Sequence, residues 1–280
     1  MADGAVGRGA AYMIGASFCF AIMAALVKVG AAEVGPWAVV LVRSVVILGI
    51  GGALLVRRGA RLRFVDHRTL VVRSLAGFTA MLAYYLAIER VPLPTAVTLQ
   101  YTSPMFVAAF APLVGERVTS RMVGWLLFGF VGVVAVVEPV GWPDAGAWLA
   151  LASGALAGVA YHAVRKLRME DPDAVVVHFA LVSTVLSAPA AVRLVQDPPS
   201  TQTTLVLLGV GLSAAGGQVL LTRAYHHASA ALVTGFGYSG VVFGILFGVL
   251  AFHEAPGWSQ ILGSLVIASA GLGLARGGRA

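Results

Sequence analysis

Two tyrosines stand at matching places in the two halves of the chain. Tyr101 lies in AIERVPLPTAVTLQYTSPMFVAAFAPL, residues 87–113, and Tyr238 in AYHHASAALVTGFGYSGVVFGILFGVL, residues 224–250. A shift of 137 positions superposes the stretches without a gap. Ala87 then falls on Ala224, Tyr101 on Tyr238, Phe106 on Phe243, Phe110 on Phe247 and Leu113 on Leu250, with Thr102 on Ser239. Near a two-fold axis the two tyrosines would face one cavity from opposite sides. Thr98, three residues before Tyr101, shares its helical face. A hydroxyl and an aromatic ring together suit a zwitterion with an apolar side chain. Tyr85, Tyr161, His162 and Gln218 are further candidates for the same wall. The competing reading of a tyrosine in apolar sequence is the aromatic belt at a membrane interface, but both tyrosines stand mid-run.

Arg43 lies about seven residues into an apolar run. It either grips a carboxylate or closes an outer gate; otherwise it snorkels or pairs with Glu33 or Glu138. The twelve Asp and Glu residues lie near run ends or in loops, whereas a proton- or sodium-coupling carboxylate is expected mid-bilayer. Tight ion coupling is therefore not expected, unless a run-end acid faces a wet vestibule. Gly240-x-x-x-Gly244-x-x-x-Gly248 clears one helix face, for static packing or for sliding. Pro104 and Pro112 remove backbone hydrogen bonds and suit a gate hinge or a shaped wall. Gln100 points away from Tyr101 and suits a bond between helices.

Enzyme signatures are missing. There is no Gly-Lys-Ser phosphate loop for an ATP-driven pump and no His-Glu-x-x-His pattern. His226 and His227 are adjacent, so their side chains diverge by about 100° on a helix, and no Cys or Glu lies near to complete a metal site. No catalytic residue, metal or cofactor is expected. Cys19 is the lone cysteine, which excludes an intrachain disulfide.

The elements that must position these residues are membrane helices. Hydrophobic residues make up 59% and charged residues 11%, with mean hydropathy +0.90; a soluble domain carries about a quarter charged residues. Ten runs are long enough to span, at about 20 apolar residues each: Gly9–Val29, Pro36–Val56, Thr69–Ile88, Leu93–Val114, Arg121–Val137, Ala147–Val164, Ala174–Leu194, Thr203–Arg223, Ala230–Ala251 and Trp258–Ala275. The runs are continuous rather than alternating, which excludes a barrel. No cleavable leader is evident, so the first run is expected to be retained.

Lys and Arg fix an expected orientation. With the N-terminus inside, 15 of the 19 fall in cytoplasmic segments and only Lys28, Arg90 and Arg193 fall outside. The net charge of +7 is thus a topology signal, not a nucleic-acid patch. Five spans per half make the halves, residues 1–140 and 141–280, inverted with respect to each other. The expected fold class is an all-α membrane protein of ten transmembrane helices in two inverted five-helix repeats, an architecture of many secondary transporters.

Several patterns resemble the drug/metabolite transporter superfamily and, within it, the ten-span EamA-type exporters. In the first half PLPTAVTLQYTSPMFVAAFAPLVGERVTSRMVGWLLFGFVGVVAVV is similar to the family's apolar span with a proline. The Gly115-Glu116-Arg117 turn and a span bearing Gly124, Gly129 and Gly132 follow. In the second half the turn is reduced to His253-Glu254, with Gly263 and Gly271 after it. GAWLALASGALAGVAYHAVRKL resembles the sixth span with its basic pair Arg165-Lys166, and Pro36 with Arg43 resembles the second. The chain departs from the pattern at the second Glu turn and at Ala160, where many relatives carry tryptophan. The resemblance covers nearly the whole chain. It implies a bacterial inner-membrane exporter of amino acids or related metabolites working by alternating access, nearest to the aromatic amino-acid branch. The small-molecule substrate and the lipid bilayer are the expected partners, with no nucleic acid. The alternatives are a multidrug exporter, which usually needs an acid in its cavity, and a non-transporting membrane protein.

Overall fold

A computed structural model of the chain describes residues 2–59, 64–110, 112, 119–137, 144–167, 169–227 and 236–277. The described residues are helical throughout, joined by short turns. The helices are α1 (Ala2–Val34), α2 (Pro36–Arg57), α3 (His67–Arg90), α4 (Leu93–Gln100), α5 (Ser103–Phe110) and α6 (Ser120–Val137). They continue with α7 (Ala145–Lys166), α8 (Pro172–Ser187), α9 (Ala190–Gln196), α10 (Thr201–His227), α11 (Ser239–Phe252) and α12 (Trp258–Gly277). Polar caps start several of them. Asp66 accepts from the Thr69 N–H at 3.0 Å, Asp144 from Gly146 at 2.6 Å and Asp171 from Asp173 at 2.9 Å, each satisfying a donor that the first helical turn leaves open. The Thr69 hydroxyl and N–H, with Lys166 nearby, hold the Asp66 carboxyl below its ordinary range. Proline occupies the first turn of α2, α4 and α8, where no N–H is needed.

Five helices are long and apolar enough to cross a bilayer: residues Arg8–Val34, Pro36–Arg57, His67–Arg90, Ala145–Val164 and Thr201–Leu221. The pair α8 and α9 passes the same test as one element bent by 64°. The remaining apolar helices are shorter. The run from Leu93 is divided at Tyr101–Thr102 into α4 and α5, and α11 starts only after Tyr238. The protein is a multi-pass, all-α membrane protein.

Contacts at the helix ends sort several of them into two opposite sides of the bundle. Arg58 after α2 pairs with Asp173 at the start of α8, and Lys166 at the end of α7 with Asp66 before α3. At the opposite end, Glu33 of α1 accepts from the Ser200 N–H ahead of α10 at 2.8 Å, and Lys28 of α1 pairs with Glu254 after α11. Large apolar side chains such as Val131, Leu205, Val242, Leu250 and Leu265 lie exposed around the bundle, where lipid covers them.

Lipid tails are as apolar as leucine, so close backbone approach rather than hydrophobic exclusion holds such helices together. The crossing of α6 and α12 is the clearest instance. A Cβ on Gly132 would sit 2.7 Å from the Gly263 carbonyl oxygen, and one on Gly263 2.6 Å from that of Gly132. Gly132→Val is expected to cost about 1–3 kcal/mol by overpacking. It would appear as a lowered Tm of the detergent-purified protein, while Gly124→Val, with nothing within 4 Å, leaves Tm unchanged.

Candidate functional site

The equivalent tyrosines both stand at breaks in helices. Tyr101 ends α4, with Tyr101 and Thr102 forming the turn before α5. Tyr238 occupies the turn immediately before α11. A helix broken within the apolar layer frees carbonyls that have no water to bind, and at each break a hydroxyl meets one. Thr102 Oγ1 donates to the Leu99 carbonyl at 2.6 Å. Ser17 Oγ, from α1, donates to the Gly237 carbonyl at 3.2 Å. Ser17 was not legible as a site residue, because its partner is 220 positions away.

The two breaks bring the tyrosines together: the ring centroids of Tyr101 and Tyr238 are 6.4 Å apart, with the planes tilted by 45°. Glycines make this approach possible. Tyr101 lies over Gly240 and Tyr238 over Gly271, and a Cβ on either glycine would overlap the tyrosine. The rest of the glycine stripe seats the same face of α4, since a Cβ on Gly244 would fall 2.6 Å from Val97 and one on Gly248 2.5 Å from Pro94. Positions 94, 97 and 101 form one ridge of α4 and 240, 244 and 248 one groove of α11. The Tyr238 hydroxyl is buried without a hydrogen-bond partner.

The other sequence candidates divide. Tyr85 is fully buried, its hydroxyl 3.3 Å from Met23 Sδ and its ring 6.2 Å from that of Tyr84. Tyr161 of α7 lies within electrostatic reach of Tyr101 and of Arg73. Thr98 bonds Ser264 of α12 at 3.2 Å. His162 Nε2 donates to the Val107 carbonyl at 2.9 Å and ties α7 to α5. Gln218 sits apart from the tyrosines, in a crevice it shares with Ile47, Gly51 and Asp173 between α2, α8 and α10. Gln100 accepts from Ser153 Oγ across the α4–α7 contact. Pro104 is the second residue of α5. Its side chain, with those of His226 and His227, and residues 115–117 and Glu138, lie outside the described parts.

Arg43 does not pair with Glu33, whose carboxylate is taken by Ser200 and Thr203. It does not snorkel either. It is 3% exposed and turned inward, its guanidinium carbon 5.9 Å from the centre of the Phe179 ring of α8. A second arginine, Arg73 of α3, is 8% exposed and 4.3 Å from the same ring. Charge counting assigned Arg73 to topology. Its depth within the third apolar run was the available signal, and its inward aim was not.

One end of this centre is closed by charge. Lys28 of α1 pairs with Glu254, and the same carboxylate accepts the Leu93 N–H, the first of α4, at 2.8 Å. The Lys28 ammonium also lies 5.3 Å from the Phe252 ring centre. No group of three or more His, Cys, Asp or Glu suited to a metal occurs among the described residues.

A model of the EamA-like transporter family matches the chain twice, at residues 7–138 and 144–275. The pseudopaline exporter CntI of Pseudomonas aeruginosa is 32% identical over 266 residues, covering 93% of each chain. A riboflavin transporter of Rhizobium johnstonii is 32% identical over 215 residues, 75% of this chain and 70% of that one. A solved crystal structure at 21% identity shares the fold with a TM-score of 0.63, over 95% of this chain and 99% of the other.

Proposed function

The chain belongs to the EamA-like transporter family, and on that premise we propose that it is a secondary transporter of a bacterial inner membrane, exporting amino acids or related small metabolites by alternating access. The observation that carries this reading is the meeting of Tyr101 and Tyr238 at two helix breaks, one in each half of the chain. Interrupted helices at corresponding places of two repeats mark substrate sites in transporters, because irregular backbone inside a membrane is tolerated only where it is enclosed by protein or lines a cavity. Counting α4 with α5 and α8 with α9 as single spans gives ten, five per half. Two inverted halves with both termini cytoplasmic agree with the end contacts, which put the end of α2 and the starts of α3 and α8 on one side and the end of α1 and the start of α10 on the other. Rocking of the halves moves the α4 ridge along the glycine groove of α11 and exposes the tyrosines to each side in turn. The outward direction is supported by the relative named as an exporter.

Flux in proteoliposomes tests this. Purified protein reconstituted with unlabelled amino acids inside is expected to drive counterflow of labelled threonine, methionine, phenylalanine or glutamate, at rates indifferent to an imposed pH gradient. Indifference follows from the described spans, which hold no carboxylate at mid-depth. Failure of every substrate in folded protein would overturn the amino-acid assignment. Flux that follows the gradient would overturn the uncoupled mechanism.

A further inference from the structure

We propose that Arg43 and Arg73, which both approach the Phe179 ring, form an anion-binding subsite of the transport path, and that the transported metabolite carries at least two carboxylates. This rests on the transporter reading and narrows its substrate class.

The two guanidiniums have no countercharge among the described residues. The nearby helix-end acids are committed elsewhere: Glu33 to Ser200 and Thr203, Asp66 to Thr69 and Lys166, Asp173 to Arg58, and Glu170 to the N–H groups of Val65 and Asp66. Arg43 Nε and Nη1 and Arg73 Nε are buried with no hydrogen-bond partner. Arginine stays protonated in proteins, so neither side chain escapes by losing its proton, and two uncompensated charges in a water-poor interior are costly. The Phe179 ring attracts both cations but offers no acceptor for their N–H groups. An arginine kept for packing would end at a carboxylate or a carbonyl, and among the described residues these two do not.

Ser183 Oγ, one turn from Phe179 on the same face of α8, is also buried without a hydrogen-bond partner. Phe179 and Tyr85 belong to one buried cluster, and Tyr101 packs against that cluster, so the subsite and the paired tyrosines share a core. Arg43 and Arg73 come from the first half and Phe179 from the second, as alternating access requires of a site between the halves. Guanidinium forks match carboxylates bidentately. A simple zwitterion would neutralise one arginine and bring in an ammonium with no acid to receive it. A substrate with two or more carboxylates balances both.

The test uses the full-length protein in nanodiscs, with succinate, glutarate and their mono- and diamides as probes, read as ligand-induced shifts in Tm. Each carboxylate converted to an amide is expected to weaken apparent affinity about tenfold. Arg43→Met and Arg73→Met each remove an uncompensated buried charge. The expected ligand-free Tm rises by about 2–4 °C, and the preference for the diacid over the monoamide disappears. Equal shifts by diacids and diamides, or a fall in ligand-free Tm in both variants, would overturn the subsite. The charge series on the unmodified protein decides the matter even where a variant fails to fold. Wild-type counterflow of neutral amino acids by both variants would remove the subsite and leave the transporter reading intact. No flux of any amino acid or dicarboxylate by the unmodified protein would remove the transporter reading itself.

Discussion

Tyr238→Phe is expected to yield a protein that is more stable than wild type and transports at least tenfold more slowly. The hydroxyl of Tyr238 is buried and unpaired, and an unsatisfied buried hydroxyl costs about 1–3 kcal/mol. Phenylalanine keeps the ring on Gly271 and removes that cost, so Tm rises. The same hydroxyl is a free donor and acceptor at the point where the two halves meet, which gives a substrate something to bind. Tyr101→Phe differs, because Tyr101 is only half-buried and its hydroxyl is not a buried orphan; its stability is expected to stay level or fall slightly. Removing both rings, as in Tyr101→Ala with Tyr238→Ala, is expected to abolish counterflow while the protein remains folded in the membrane. The measurement is initial counterflow rate alongside Tm and monodispersity. Wild-type rates in Tyr238→Phe would show that the orphan hydroxyl is not a substrate contact, and wild-type rates in the double alanine variant would remove the site.

The membrane class and the position of the tyrosines were legible because they depend on local properties. Apolar run length reports a helix's surroundings directly, and the aromatic register linking Tyr101 to Tyr238 survives as identical residues. The break in the first half was legible in part: Pro104 has no N–H to return to the Gln100 carbonyl, and the interruption falls just before it, at Tyr101–Thr102. What meets the carbonyls was not legible, since Thr102 turns back on Leu99 and Gly237 is met by Ser17 from a distant helix. Periodicity placed Thr98 beside Tyr101, but Ser264 of α12 offers it a hydrogen bond and takes it. Gln218 illustrates a different gap. Its polarity suggested a cavity wall, yet α10 packs against α1 and α2, and the crevice Gln218 lines is a separate one. Arg73 is the most instructive case. Its sign and its place near a helix start fit the positive-inside pattern, and only the position of Phe179 shows that it faces inward. Gly77, one turn on, leaves the room that the guanidinium occupies.

Glu254 provides the second large effect. In sequence it stands in a reduced turn, and in the fold it is the junction of three elements. Its carboxylate holds the Lys28 ammonium of α1 and caps the first N–H of α4, so one residue of the second half clamps two helices of the first. The side chains are about one fifth exposed (20% and 23%), so the pair is screened more than a buried one and less than a surface one. Together with the loss of a helix cap, Glu254→Ala is expected to weaken closure at this end by about 2 kcal/mol, roughly a 30-fold shift toward the state open on that side. Thr95, one turn inside α4 and 7% exposed, reports that opening. With Cys19 replaced by alanine, a Thr95→Cys side chain should react with a membrane-impermeant maleimide at least tenfold faster in the Glu254→Ala background. Exchange of the charges, Lys28→Glu with Glu254→Lys, restores the ion pair but not the cap, because an ammonium cannot accept the Leu93 N–H. Its labelling rate should therefore fall between the two. Labelling indifferent to Glu254 would mean that the glycine groove alone keeps this end shut, and that the ion pair rides on a closure it does not cause.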